Sequence, residues 1–371
     1  MLDSELPGLV SQVLWAAFGL AVAFGVIAQR THFCTMGAVA DIVHMGDWTR
    51  MRMWLLAMGV AMVGFNLMVA LGWIEARHSL YAEPQLLWLS NALGGTLFGV
   101  GMVLASGCGS KTLLRIGSGS LKGLVVFLVM AVAAYATLRG ITAVARVVSV
   151  DTVVLTLAGG QDLPSLLGRA TGVAVPQLAL LVGVGAGLAL VAGVLFRPDG
   201  RRGEVLLAGF GIGAVIVGVW WVSGRLGFVD EHPLTLEPSF LATNTRGMES
   251  LSFVAPLAYT LDWLMLFSDR SKGLTIGIVG TLGVVVGAAL AALAAREFRW
   301  EGFGGVEDTA NHLVGALLMG IGGVTAMGCT IGQGLTGVST LSIGSFIALG
   351  GIVGGAVLGL RYQSWRVDRM A

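Results

Sequence analysis

Three cysteines are the residues best suited to chemistry in this chain, and two of them stand in near-copies of one setting. Cys108 lies in "ASGCGSKTL" and Cys329 in "AMGCTIGQG", each at the end of a long apolar run and next to glycine. The third, Cys34, lies in "QRTHFCTMGAVADI". A thiol can attack as a nucleophile, bind a soft metal, or donate weakly through S–H. The wide spacing, with no C-x-x-C pair, speaks against a disulfide framework, a structural zinc site and a thioredoxin-like centre.

The neighbours narrow the chemistry. Gly107 and Gly109 flank Cys108, and Gly328 precedes Cys329, so a helix is expected to break at both places. If a half-helix starts just beyond, its free N–H groups and its dipole form a place for an anion. Ser110, Lys111 and Thr112 follow the first break; Thr330 and Gln333 follow the second. Arg30, ahead of Cys34, and Lys111 could attract an anion at a mouth, although such residues on a membrane protein commonly serve topology or anchoring instead, and His32 reads as a solvated loop residue. The competing reading is that the glycines only allow close helix packing, with cysteine as one more small residue. His32 with Cys34 makes an H-x-C pair, but no second close ligand pair accompanies it, and the methionines form no ladder for copper.

These residues must be positioned by membrane helices. The chain is 56% hydrophobic and 12% charged, against roughly 25% charged in soluble domains. Apolar runs near 11–29, 51–74, 86–105, 121–142, 177–196, 203–222, 273–295, 311–328 and 340–360 predict an all-α polytopic protein of about nine transmembrane helices plus re-entrant half-helices. The first run has no basic region before it and is read as a retained helix rather than a signal peptide. Ser252 to Phe267 is short, contains Pro256, and suits an element that enters without crossing. Basic residues cluster in "GSKTLLRIGSGSLK", "RPDGRR", "DRSK" and the tail, which places those segments in the cytoplasm. Acidic loops at Glu75–Glu83 and Asp230–Glu249 face the other side, with the N-terminus outside and the C-terminus inside. A net charge of +1 excludes a broad nucleic-acid face, and no G-x-x-x-x-G-K-[ST] motif for direct ATP hydrolysis is present.

Shifting the sequence by 221 positions lays "GTLFGVGMVLASGCG" on "ALLMGIGGVTAMGCT", with Gly99, Gly101, Gly107 and Cys108 over Gly320, Gly322, Gly328 and Cys329. Gly25 precedes Cys34 by the interval that separates Gly99 from Cys108, and "CTMG" at Cys34 matches "CTIG" at Cys329. Two related halves with Gly-interrupted helices at matching places are the sequence signature of a secondary transporter. The division is 1–150 and 177–371 as two inverted repeats, joined by 151–176.

With its motifs laid out, the chain resembles the YeeE/YedE family of bacterial membrane proteins, whose characterised members take up thiosulfate. The resemblance rests on "RTHFCTMGAVAD" (30–41), "GTLFGVGMVLASGCGSKTLLR" (95–115), "GLTIGIVGTLGVVVGA" (273–288) and "GALLMGIGGVTAMGCTIGQGLTGVS" (315–339). It implies an hourglass of two inverted repeats in the inner membrane, with Cys34, Cys108 and Cys329 along a narrow path. It implies a thiosulfate or related sulfur-anion importer with no cofactor, and a separate cytoplasmic sulfur-carrier protein as a partner, since no C-P-x-P carrier motif is present here. No cysteine in 220–264 mirrors Cys34. Two alternatives stay open at this level: a membrane sulfurtransferase that holds a persulfide, and a transporter of soft metals or selenium compounds.

Overall fold

The computed structural model describes residues 2–233, 236–269 and 272–370. Its helices are α1 Leu2–Arg30, α2 Thr35–Met45, α3 Thr49–Ala70, α4 Trp88–Leu104, α5 Gly109–Gly117, α6 Leu121–Arg139, α7 Ile141–Val148 and α8 Leu163–Thr171. They continue with α9 Val175–Leu178, α10 Gly185–Leu195, α11 Gly203–Trp221, α12 Ala255–Met265, α13 Ile276–Ala294, α14 Val306–Thr325 and α15 Ile343–Met370. A π-helical turn, Ala179–Val184, fuses α9 and α10 into one apolar segment. Two antiparallel pairs of two-residue strands, 85–86 with 155–156 and 228–229 with 239–240, tie loops together.

Each predicted span is a helix, and eight segments among the described residues are long and apolar enough to cross a bilayer. The protein is an all-α polytopic membrane protein. α14 has 20 residues but opens on Glu307 and Asp308, and it is not one of the eight. α12, the expected non-crossing element, has 11 residues, about 16 Å at 1.5 Å per residue, too short to span. The linker 151–176 is folded rather than loose: Leu163 N–H donates to Leu341 O and Ile343 N–H to Gln161 O.

Helices in lipid gain little from hydrophobic burial against each other and associate through close packing, which favours small residues at the contact. The seam between α4 and α14 shows this. A Cβ on Gly101 would lie 2.7 Å from Gly315 O, and one on Gly322 would lie 2.6 Å from Gly94 O. Under the 221-residue shift Gly94 corresponds to Gly315 and Gly101 to Gly322. Each glycine therefore meets the counterpart of the other, in the reciprocal manner of a local two-fold axis, and the two helices run antiparallel. The flanking contacts repeat as well. Gly99 of α4 presses on Ile352 and Ala356 of α15, and Gly320 of α14 presses on Met130 and Ala134 of α6, one residue from the same register.

Helix directions follow from such contacts. α1 and α13 are parallel, since Gly283 meets Phe18 and Ala21 while Gly25 meets Val284 and Ala288. The ends of α1, α5, α13 and α15 share one face, the C-terminal face, which also carries Arg52 paired with Asp199 and Arg366 paired with Glu307. The acidic loops meet on the opposite face, where Met248 N–H donates to His78 O. One expectation is corrected here. The basic stretch near 270 was expected beside "RPDGRR", yet Lys272 pairs with Asp262, and Asn244 Nδ2 donates to Thr275 Oγ1 at 2.7 Å, on the face of the acidic loops. α12 is too short to carry the chain across, so the described residues of 228–275 stay on one side. Arg270 lies outside the described residues.

Gly99→Ala, whose Cβ meets backbone carbonyl rather than a movable side chain, is expected to destabilise by about 1–3 kcal/mol or more. Gly19→Ala on α1, with no atom in reach of its Cβ, is expected to be neutral or to stabilise slightly through helix propensity. Thermal unfolding of both purified variants in detergent checks the contrast.

Candidate functional site

All three cysteines occupy the same local construction. α1, α4 and α14 each end in a residue with left-handed backbone, His32 (φ 49°), Ser106 (φ 53°) and Met327 (φ 58°). Each end is closed by a six-to-one bond of the Schellman type: Phe33 N–H to Ala28 O at 3.0 Å, Gly107 N–H to Met102 O at 2.8 Å, and Gly328 N–H to Gly323 O at 2.8 Å. Two residues after the left-handed position comes the cysteine, and a new helix starts directly behind it. Cys34 is the N-cap of α2 and Cys108 the N-cap of α5. Cys329 precedes a helix over 330–339 whose middle, Gly332–Gly337, is a π turn.

A Ser, Thr, Asp or Asn cap accepts from a backbone N–H two or three residues on, and here sulfur takes that part. Cys34 Sγ accepts from Gly37 N–H and Cys329 Sγ from Gly332 N–H, both at 3.4 Å. Cys108 Sγ lies 3.2 Å from Ser110 Oγ. At Cys34 and Cys329 the sulfur's acceptor side is turned toward the helix, which leaves the S–H proton free to point elsewhere. The thiols are 8%, 0% and 0% exposed for Cys34, Cys108 and Cys329. Cys108 is the electrostatic neighbour of both Cys34 and Cys329, which places it near each of them.

The residues around the breaks hold them open. A Cβ at Gly107 would lie 2.9 Å from Lys111 Cγ, and one at Gly328 3.0 Å from Gln333 Cγ, so glycine before each cysteine leaves room for the side chain that folds back over it. The carbonyls of the equivalent residues Ala105 and Ala326 are capped by side chains from the following helix, Arg115 Nη1 at 3.4 Å and Gln333 Nε2 at 2.6 Å. Thr35 and Thr330, each just after a cysteine, are 3% and 0% exposed, and neither Oγ1 has a protein partner. Buried polar atoms in native proteins are nearly always satisfied. Two orphan hydroxyls beside two thiols therefore mark where water or a polar ligand belongs.

Sequence reasoning missed the peptide opposite. The loop 250–254 dips in until Phe253 O would sit 2.8 Å from a Cβ on Gly109, while the Phe253 N–H lies by Cys329. Above it a cavity of about 230 Å³ opens toward the face of the acidic loops, walled by Tyr81, Arg146, Glu249, Ser252, Tyr259 and Met327. A second hollow of about 440 Å³, with Arg139, Arg246 and Lys272 against a single acid, Asp262, shares Asn244 and Tyr259 with it. Lys111 is half-buried among Cys34, Cys108, Arg115 and Arg50. Arg30 is exposed at the end of α1; the guanidinium that acts on Cys34 belongs to Arg50, which is paired with Asp41 at 3.3 Å.

Residues 30–358 match the model of a family described as sulphur transport. The chain belongs to that family. It is 27% identical over 350 residues, 91% of this chain and 94% of the relative, to the thiosulfate transporter TsuA of Spirochaeta thermophila. It is 27% identical over 348 residues, 92% and 91% of the two chains, to the thiosulfate transporter TsuA of Escherichia coli. A probable transporter of Escherichia coli, YedE, is 32% identical over 104 residues, 28% of this chain and 24% of its own. The relatives are named as transporters, and this chain is a multi-pass membrane protein of the sulphur-transport family.

Ser106→Gly removes a Cβ from a left-handed position, whose cost is roughly 1–2 kcal/mol, while adding backbone freedom to the unfolded chain worth about 0.4–1 kcal/mol. It is expected to leave stability equal or higher by up to about 1.6 kcal/mol, whereas the β-branched Ser106→Val is expected to lower it. The melting temperatures of the two variants give the comparison.

Proposed function

We propose that this protein imports thiosulfate, or a closely related sulfur oxyanion, across a bacterial inner membrane. The observation that carries the reading is the set of three buried cysteines, each standing at the start of a helix behind the same left-handed break, in a chain aligned almost end to end with two thiosulfate transporters. A passing dianion needs sites strong enough to admit it and weak enough to release it. S–H is a weak donor, so a protonated thiol fits that need, and a thiolate would repel the cargo. The helix N-terminus behind each sulfur contributes about half a positive charge without a fixed counter-charge that would trap the ion.

In this reading the anion enters through the cavity beside Tyr81 and Ser252, passes Cys329, Cys108 and Cys34 in turn, and leaves toward the C-terminal face. Backbone at Gly107, Gly109 and Gly328, together with Ser110, Thr330 and Gln333, lines the way, and Lys111 draws the ion onward; Arg30 serves at the outer edge of the exit. The halves 1–150 and 177–371 act as inverted repeats whose breaks meet as the waist of an hourglass. The C-terminal face, rich in arginine, is cytoplasmic, which puts the N-terminus outside. A cytoplasmic sulfur-carrier protein collects the product, and no redox change or cofactor is needed. The π turn at Gly332–Gly337 sits directly behind Cys329, in keeping with the occurrence of such turns at functional sites.

Uptake of radiolabelled thiosulfate by a sulfur-starved host expressing the chain tests this. Cys108→Ala and Cys329→Ala are expected to lower uptake by at least about tenfold, the equivalent of 1.4 kcal/mol, with unchanged elution on size exclusion. Unchanged uptake in both variants rejects the relay.

A further inference from the structure

The wall of the 230 Å³ cavity contains a group that works against an anion importer. Arg146 and Glu249 are its charged residues. Arg146 is engaged with Asp151 at 3.0 Å, and Asp151 also accepts from Ser90 Oγ at 2.7 Å, so that pair is electrically closed. Among the described residues no cation is paired with Glu249. Its carboxylate receives only the Thr245 hydroxyl at 3.3 Å and the backbone N–H groups of Asn244 and Thr245. When ionised, it leaves a net negative wall where a dianion must enter.

Nor can the side chain simply swing away with its loop. Glu249 N–H donates to Ser223 Oγ at 3.1 Å and Ser223 Oγ donates back to Glu249 O at 2.5 Å. The next residues are pinned as well, Ser250 Oγ to Ile216 O at 2.9 Å and Leu251 O by Thr336 Oγ1 at 2.7 Å. Thr336 belongs to the π turn behind Cys329. The carboxyl is thus held at a fixed place in the vestibule of the waist.

We propose that Glu249 is a proton-binding site coupled to anion entry: the cavity admits the dianion when Glu249 is protonated, and its carboxylic acid then donates a hydrogen bond to an anion oxygen. The proposal rests on the transport reading above and adds to it a second ligand, H⁺. Two effects act together. Protonation removes the like charge, and it turns an acceptor-only group into a donor. By linkage, an anion that binds the protonated form must in turn favour protonation.

The titration falls in a useful range. Glu249 lies in the connection between two spans, and burial pushes its carboxyl up to about 7. It is therefore protonated below that pH and ionised above it. The groups that face it are Tyr81, Tyr259 and Arg146, with Arg139 behind Tyr259, Cys329 beyond Tyr81, and Arg246 on its own loop. Burial raises Tyr81 and Tyr259 above their ordinary range, further from pH 6 to 8. His78, the nearby imidazole, is stacked on Phe228 in a separate hollow, and burial shifts it down.

The test is thiosulfate uptake into proteoliposomes of the purified full chain at external pH 6 to 8, a range over which thiosulfate itself stays a dianion. Wild type is expected to be about tenfold slower at pH 8 than at pH 6, the ratio of protonated carboxyl for one group titrating near 7. Glu249→Gln, a permanent neutral donor, is expected to vary less than about twofold across the range, and His78→Gln to keep the wild-type profile. As a measurement on the unaltered protein, adding thiosulfate in weak buffer at pH 7.5 is expected to draw protons from solution, up to one per anion bound. Uptake that is present but flat with pH in wild type, a Glu249→Gln profile that follows wild type, or anion binding without proton uptake overturns the proposal and leaves thiosulfate transport standing. No uptake at any pH overturns the transport reading, and this inference with it.

Discussion

The constraint on which the structure depends is the satisfaction of backbone polar groups where helices are interrupted inside the membrane. Away from water an unpaired N–H or C=O costs several kcal/mol, and each interruption exposes up to four of each. This protein makes three interruptions with one device. The Schellman bonds behind His32, Ser106 and Met327 close the incoming helix, and a cysteine opens the outgoing one. At two of the breaks a further side chain, Arg115 or Gln333, reaches back to the last free carbonyl. Sulfur is a poorer acceptor than a hydroxyl, so a thiol cap leaves more of the helix's positive end uncompensated than serine would. In the proposed transport reading, the group that stabilises the break also keeps it attractive to an anion.

The device works only if the breaks face each other, and the glycine seam between α4 and α14 secures that. Gly94 with Gly322 and Gly101 with Gly315 bring two backbones into contact with no side chain between them. Such contacts do not slide: a shift by one residue would place a Cβ against a carbonyl. Because Cys108 follows α4 and Cys329 follows α14 at equal distance from these glycines, the seam fixes where one sulfur lies relative to the other.

Much of this was legible in the sequence because the repeat is carried by glycine and cysteine at fixed intervals, and the same intervals set the helix contacts. The loose match of Gly25 and Cys34 to the two stronger copies turned out to reflect the same left-handed turn, although His32 replaces the serine or methionine found there in the others. Other features were not legible because they depend on which side a short element returns to. Lys272 lies on the unexpected face since α12 reverses without crossing. Arg50 rather than Arg30 acts on Cys34 because α3 folds back along α2, a contact with no periodic signal. Phe253 and Glu249 come from an irregular loop, where neither helical nor strand period marks burial.

That loop also makes the waist unsymmetrical. In the first half the position leading into Cys108 is a thiol, Cys34, with Lys111 and Arg50 acting on it. In the second half the place beside Cys329 is taken by the Phe253 peptide, with the ring packed on Phe24 at 5.6 Å. The wall beyond that peptide holds a closed ion pair and one carboxyl. Cys108 therefore has cations on one side and, on the other, an aromatic ring and a cavity wall whose ion pair is closed and whose remaining charged group is a carboxyl. Two related breaks alone would give a passage with equivalent ends. The Phe253 peptide in the place of a thiol, with Lys111, Arg115 and Arg50 on the other side, makes the surroundings of the three cysteines electrostatically unequal.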